Sequence, residues 1–317
     1  MRNYVLDFLD AAEEAAVSAA GLVAKGDKNH LDKVAVDALR KSIGELPVSL
    51  TIVTGEGVID KAPLLSAGEV LGLGGIELDM AVDPVDGTTL AANGQPNSLV
   101  SLAIGPKGSL LPVPDMYMEK MICSVPYILD LERPIEHNIR DLANALHKGV
   151  DTLKVAILNK PRHEKIIQEL RRLNVQVYLI NDGDILATLD VMRQKFDLLY
   201  SVGGAPEGII SAAICKALCG DMVAKLVPSH LFKEVSQDYL EYEQQACKEM
   251  NLTVGEILPL SKLVSSSQVF TVLTALTDCS EMKAPEINCC SVRVQSVVVE
   301  GEFSCITTTN KLKMNRT

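Results

Sequence analysis

Between Leu153 and Leu218 one rhythm recurs. Apolar runs at Leu153–Leu158, Val175–Ile180 and Phe196–Val202 alternate with amphipathic stretches at Pro161–Leu173, Asp184–Lys195 and Glu207–Leu218. Strand–helix alternation with short connections predicts a mainly parallel sheet covered by helices. In such a sheet, binding loops lie at the carboxyl ends of the strands. Those ends carry Asn159-Lys160-Pro161-Arg162, Asn181-Asp182-Gly183-Asp184 and Gly203-Gly204-Ala205-Pro206-Glu207-Gly208, all polar and rich in turn residues.

The first part of the chain has a different texture. Met1–Lys25 is Ala-rich, with Asp7, Asp10, Glu13 and Glu14 inside its apolar pattern, and it predicts an amphipathic helix rather than a signal segment. A second helix is expected over about Asp32–Leu46, with strands at Val48–Val53, Ile76–Val82, Leu99–Ile104 and Leu110–Pro114. Helices with a mixed or antiparallel sheet therefore make a first lobe, about 1–130, and the alternating region opens a second, about 150–317. The junction falls near 127–149. Strands are also expected at Val269–Leu276, Cys290–Glu300 and Phe303–Thr309, and a helix at His230–Met250.

With 317 residues, 47% hydrophobic, the chain can bury two aliphatic cores; Trp is absent. A formal charge of −11 argues against nucleic-acid or anionic-membrane partners. No apolar run is long enough to span a bilayer. None of the eight cysteines forms a CxxC pair, so they read as small, mostly buried residues of a reducing compartment, the cytoplasm. Cys215 and Cys219 sit i,i+4 on an expected helix, and Cys289-Cys290 in a strand-like segment point to opposite faces.

The chemistry concentrates at Asp83-Pro84-Val85-Asp86-Gly87-Thr88, which closes the apolar run Ile76–Val82. Pro84 favours an extended Asp83, and Asp86-Gly87 favours a sharp turn. The motif is either an ordinary Asp-Gly turn with solvated acids or a site that aims two carboxylates and the Val85 carbonyl at one point. Oxygen ligands of that kind suit a hard cation such as Mg²⁺ or Mn²⁺. Asp32, Glu56 and Glu207 are further acids at element ends or in glycine-rich turns. Each has a plain alternative: a helix cap, a turn residue, and an acid in a helix's first turn. Lys28, Lys160 and Arg162 supply positive charge, and Arg can chelate a phosphate through two parallel hydrogen bonds. Asp115–Lys120 offers the Tyr117 phenol beside two Met residues, or else a helix start with Met packed inward.

In combination these signals are specific. The ordered set G-D-K-N-x-x-D (26–32), G-E-G (55–57), A-P-L-L (62–65), D-P-V-D-G-T (83–88), P-D-M-Y-M-E-K (114–120), K-P-R-H (160–163), D-G-D (182–184) and G-G-A-P-E-G (203–208) resembles the class II, bacterial-type fructose-1,6-bisphosphatases, within the lithium-sensitive, metal-dependent sugar and inositol phosphatases. The resemblance implies a layered α/β/α/β/α sandwich of two lobes, dependence on Mg²⁺ or Mn²⁺, and hydrolysis of a sugar bisphosphate at its 1-phosphate. It implies Asp32, Glu56, Asp83, Asp86, Glu207 and the Val85 carbonyl as metal ligands. Thr88 would orient the attacking water, with Asp86 and Glu56 beside it in the catalytic set. Asp86, Gly87, Thr88, Tyr117, Lys160, Arg162, Asp182, Asp184 and Glu207 would contact substrate, and Lys28 and Asp60 fall in matching motifs. A homodimer or dimer-based tetramer is implied.

The chain departs from the family pattern at Val58, where a second acid is usual, and at Lys225, where Arg is usual. Ala275 and Cys279 replace glycines. A sedoheptulose-1,7-bisphosphatase, or a weakly active paralogue that binds sugar phosphates, are the alternatives these departures leave open.

Overall fold

The Ala-rich N-terminal stretch forms helix α1 (Val5–Ala20). Asp27, whose Oδ1 accepts the His30 N–H at 3.0 Å, caps helix α2 (Lys28–Gly44). The computed structural model describes residues 4–55, 65–126, 128–301 and 303–312. Strands β1 (Val48–Thr54), β2 (Val70–Leu71) and β3 (Ile76–Asp86) follow, then the short helix α3 (Thr88–Ala92) and strand β4 (Leu99–Pro106). Next come β5 (Tyr117–Cys123), α4 (Ile135–Ala145), β6 (Lys154–Leu158), α5 (Glu164–Arg172), β7 (Gln176–Ile180), α6 (Asp184–Met192), β8 (Leu198–Gly204), α7 (Ala205–Ala217) and β9 (Asp221–Val227). Helix α8 (Gln237–Glu249), β10 (Leu258–Pro259), α9 (Leu260–Leu263), β11 (Phe270–Ala275), β12 (Glu286–Ile287), β13 (Ser291–Glu300) and β14 (Phe303–Leu312) complete the order.

The fold is mixed α/β, with two sheets among the described residues. Met1–Ser109 and Gln268–Thr317 contribute their described residues to one compact unit, and Leu110–Ser267 to another. The first unit's sheet has eight strands, ordered β12-β13-β11-β4-β3-β1-β2, with β14 also paired to β13. Only β1 and β3 run parallel; the other pairs are antiparallel, as a mixed or antiparallel sheet was expected to be. Phe8, Ala12 and Ala16 of α1 and Leu31, Ala35 and Leu39 of α2 pack with Leu50, Met80, Leu102 and Val272 in its core. Their i, i+4, i+8 spacing puts one apolar stripe of each helix on the sheet. The C-terminal strands thus belong to the first sheet, because β11 pairs along its length with β4. An unbroken second lobe over 150–317, entered through 127–149, is not what forms.

The second sheet has six strands, ordered β10-β9-β5-β8-β6-β7. It is parallel at β7-β6-β8 but antiparallel where β5 enters between β8 and β9 and where β10 joins β9. The expectation of a mainly parallel sheet is corrected accordingly. The strand β5 was obscured in the sequence because its buried positions are not all apolar: Met118 and Lys120 are buried, Tyr117 and Glu119 half-buried, so a lysine takes an inward place. Helix α4 presents Ile135, Ile139 and Leu142 to Met121, Val155, Leu198 and Tyr200, while α6 and α7 pack with β5 and β8. Each fully buried aliphatic side chain of this kind contributes roughly 1.5–3 kcal/mol.

Three smaller expectations change. Of Leu110–Pro114, only Leu110 bridges, to Val264. Cys219 lies past the end of α7 with φ 56° and is exposed, so it does not share the helix with the buried Cys215 as expected. Cys289 and Cys290 lie in a bend outside the strand, with sulfurs 3.3 Å apart, because Asn288 Oδ1 draws in the Cys290 and Ser291 N–H groups. Among the described residues no helix is long and apolar enough to cross a membrane.

Candidate functional site

In the first unit, the Asp83–Thr88 motif forms the end of β3 and the start of α3. Asp83 pairs with Ser101 but Asp86 with Leu99, so β3 bulges by one residue here. Asp83 Oδ1 accepts the Val85 N–H at 3.0 Å, which closes the turn the sequence predicts. Gly87 then takes φ 75°, a left-handed conformation that suits glycine. The turn is locked from behind: Ser98 Oγ donates to the Asp86 carbonyl at 2.9 Å, and Thr277 Oγ1 accepts the Ser98 N–H at 2.9 Å. Asp83 and Asp86 are 2% and 5% exposed, so neither is a solvated surface acid.

Thr88 Oγ1 donates to the Val85 carbonyl at 2.8 Å. With its proton committed, the hydroxyl offers lone pairs to anything that approaches, and the carbonyl keeps a second lone pair. Asp32 lies on α2, which packs on β3 and α3. Its Oδ1 is buried and accepts no hydrogen bond, and burial lifts the carboxyl to about 6. A buried, unsatisfied anionic oxygen is costly unless a cation or donor completes it, so Asp32 Oδ1 is an oxygen that a hard cation would satisfy. Among the described residues no three His, Cys, Asp or Glu side chains group closely enough to hold a metal. Glu56, Val58 and Asp60 lie outside the described residues. Lys28 is the exposed first residue of α2.

In the second unit the end of β8 meets the start of β5, where Tyr117 pairs with Gly204, and the loops after β6 and β7 bring Arg162 to the Tyr117 ring and Asp184 to Lys120. Arg162 Nε donates to the Val202 carbonyl at 2.7 Å, and its guanidinium carbon stands 4.9 Å from the Tyr117 ring centre. The Val202 N–H is taken by His163 Nε2 at 2.8 Å, so adjacent side chains engage both backbone groups of one residue. His163 is fully buried, and burial first, then the Arg162 charge, push it down to about 4. Its Nδ1 forms no well-aligned bond, though the Leu158 backbone weakly favours protonation. Asp182 is held above the ordinary carboxylate range, by burial first, opposed by the Lys160 charge; Asp184 raises it and Arg162 lowers it. Lys160, Arg162, Asp182 and Asp184 thus share one neighbourhood.

Asp184 opens α6 after Gly183, whose φ is 83°. Its Oδ2 accepts from Lys120 Nζ at 2.7 Å and Ser201 Oγ at 2.8 Å, with the Lys120 side chain wholly buried. Gly203 leaves the room: a Cβ there would lie 2.5 Å from Asp184 Oδ2. Glu207, in the first turn of α7, is lifted to about 7 by burial and by the Asp184 charge, against the pull of Lys120. Lys120 and His163 fall inside motifs that the sequence singles out, P-D-M-Y-M-E-K and K-P-R-H, but their buried placement is a product of the fold.

Of the departures, Lys225 pairs across the ladder with Glu119 at 2.9 Å, and Tyr200 donates to the same carboxylate at 2.6 Å. Neither Ala275 nor Cys279 adopts a positive φ, so both backbones accommodate a side chain. Cys279 is buried, donates to the Ser98 carbonyl at 3.2 Å, and has its thiol pushed up to about 12 by burial and by the nearby Asp86 charge.

Residues 2–312 match the family model described as bacterial fructose-1,6-bisphosphatase, glpX-encoded. The fructose-1,6-bisphosphatase 1 class 2 of Escherichia coli K12 is 41% identical over 284 residues, which cover 87% of this chain and 84% of that protein. A Synechococcus elongatus protein, D-fructose 1,6-bisphosphatase class 2/sedoheptulose 1,7-bisphosphatase, is 32% identical over 94% of this chain and 92% of its own length. A solved inositol monophosphatase from Anabaena aligns at TM-score 0.36 and 18% identity, over 64% of this chain and 79% of that one. The match along nearly the whole chain, in agreement with the ordered motifs, places the chain in the class II, bacterial-type fructose-1,6-bisphosphatase family.

Proposed function

We propose that this chain hydrolyses the 1-phosphate of fructose 1,6-bisphosphate to fructose 6-phosphate and inorganic phosphate by in-line attack of water. The observation that carries this reading is the family match over residues 2–312. Asp32, Glu56, Asp83, Asp86, Glu207 and the Val85 carbonyl are the proposed ligands of Mg²⁺ or Mn²⁺. When bound, such ions neutralise phosphate charge and acidify water. The unsatisfied Asp32 oxygen and the buried Asp83 and Asp86 carboxylates support that assignment. Thr88, its own proton held by Val85, accepts a hydrogen bond from the water and so aims it. A carboxylate, Asp86 or Glu56, takes the water's proton. Lys160, Arg162 and Tyr117 hold the phosphate that stays, and Asp182 and Asp184 bind sugar hydroxyls.

Sedoheptulose 1,7-bisphosphate is the second reading, favoured by the dual name of the Synechococcus relative. The setting we propose is cytoplasmic gluconeogenesis, in a homodimer or dimer-based tetramer. Phosphate release from both bisphosphates, with Mg²⁺ and with Mn²⁺, decides between them. No metal-stimulated release from either refutes the enzyme reading, and tight calorimetric binding without turnover would identify a sugar-phosphate-binding paralogue instead. Asp83→Asn is expected to lower metal-dependent turnover by at least roughly a hundredfold; unchanged turnover refutes the metal assignment.

A further inference from the structure

Tyr117 has a second cation over its ring. Lys233 Nζ stands 5.5 Å from the Tyr117 ring centre and 4.9 Å from that of Tyr239, while Arg162 approaches Tyr117 at 4.9 Å. Among the described residues neither cation has a carboxylate partner, in a chain whose formal charge is −11. Both are preplaced. Arg162 spends its Nε–H on Val202, which leaves its terminal NH₂ groups for a ligand. Lys233 follows a short helical turn, Ser229–Leu231, whose Ser229 N–H is drawn onto the Glu243 carboxylate and whose Ser229 carbonyl accepts the Lys233 N–H at 3.1 Å. Phe232 meets the Tyr117 ring edge-on at 5.3 Å, and Tyr239 OH donates to the Asp115 carbonyl at 3.0 Å, so both rings that flank Lys233 are anchored.

Two like charges gathered at one aromatic ring, neither in a salt bridge among the described residues although Asp182 lies within electrostatic reach of Arg162, make a receptor for a dianion. We propose that Lys233 is a substrate-binding residue that acts with Arg162 on the phosphate that is not hydrolysed, and so helps select a bisphosphate over a monophosphate. The inference rests on the sugar-bisphosphatase reading above.

Calorimetry with fructose 6-phosphate on the metal-free full chain tests it, because that probe carries only the retained phosphate. Lys233→Met should weaken binding roughly tenfold, whereas Lys233→Arg keeps it within about threefold. In turnover, Lys233→Met should raise KM for fructose 1,6-bisphosphate by the same factor with kcat unchanged. Lys262→Met, at an exposed lysine paired with Glu256, controls for general charge loss. Affinity and KM of Lys233→Met equal to those of the control would overturn the proposal, as would a wild-type chain that does not bind fructose 6-phosphate. If the wild type binds the probe but releases no phosphate from fructose 1,6-bisphosphate, the enzyme reading fails while the phosphate contact stands.

Discussion

Acidification should unseat the Arg162 loop through His163. The imidazole is fully buried, accepts the Val202 N–H at 2.8 Å, and meets the Tyr200 ring edge-on at 6.0 Å. A protonated imidazole has no acceptor to offer Val202, and its charge would lie beside that of Arg162. Burial and Arg162 accordingly hold His163 near 4, against an ordinary 6.5. Above pH 6.5 the imidazole is neutral in both folded and unfolded chains and pH costs nothing. Below it, the unfolded chain takes up the proton first, so stability falls as pH drops from 6.5 toward 4. A gap of that size corresponds to about 3 kcal/mol at the acid end. Urea unfolding of the wild type and of His163→Gln across this window isolates the effect, because other acids titrate alike in both. The wild type should lose about 3 kcal/mol more than the variant. Superposable pH profiles, or an NMR titration of His163 at or above 6.5, would refute the reasoning.

Two further predictions concern the frame around the site. Lys120→Met leaves the Asp184 carboxylate buried without its cation and should cost about 3–5 kcal/mol in urea unfolding, much of it recovered when Asp184→Asn is added. Gly87→Ala places a Cβ 3.2 Å from Leu90 Cδ1 and 3.3 Å from the Asn97 carbonyl at a positive φ. It should lower stability by about 1–2 kcal/mol and reduce phosphate release more than roughly tenfold, since the same turn carries Asp86 and Thr88; a variant with wild-type turnover would show that the turn tolerates displacement.

The sequence by itself determined what depends on neighbours along the chain. The Asp83–Thr88 turn follows from Pro84, Gly87 and a carboxylate that can bond two residues ahead, and it forms that way. The alternation after Leu153 placed β6, β7 and β8 and the loops that follow them, because helix and strand periods are local. The ordered motifs were enough to indicate the family. The tertiary structure alone decided the rest. That β11, β13 and β14 complete the first sheet depends on partners such as Ser98 and Thr277, 179 positions apart, which no local period encodes. That Lys120 is an interior cation depends on Asp184, Ser201 and the space left by Gly203 arriving from other elements; a lysine beside Met and Glu otherwise looks like surface. His163 and Lys233 are of the same kind. The neutral state of His163 is set by burial and by the backbone of Val202, and the position of Lys233 by the rings of Tyr117 and Tyr239, because burial and contact are properties of the assembled fold and not of residue type.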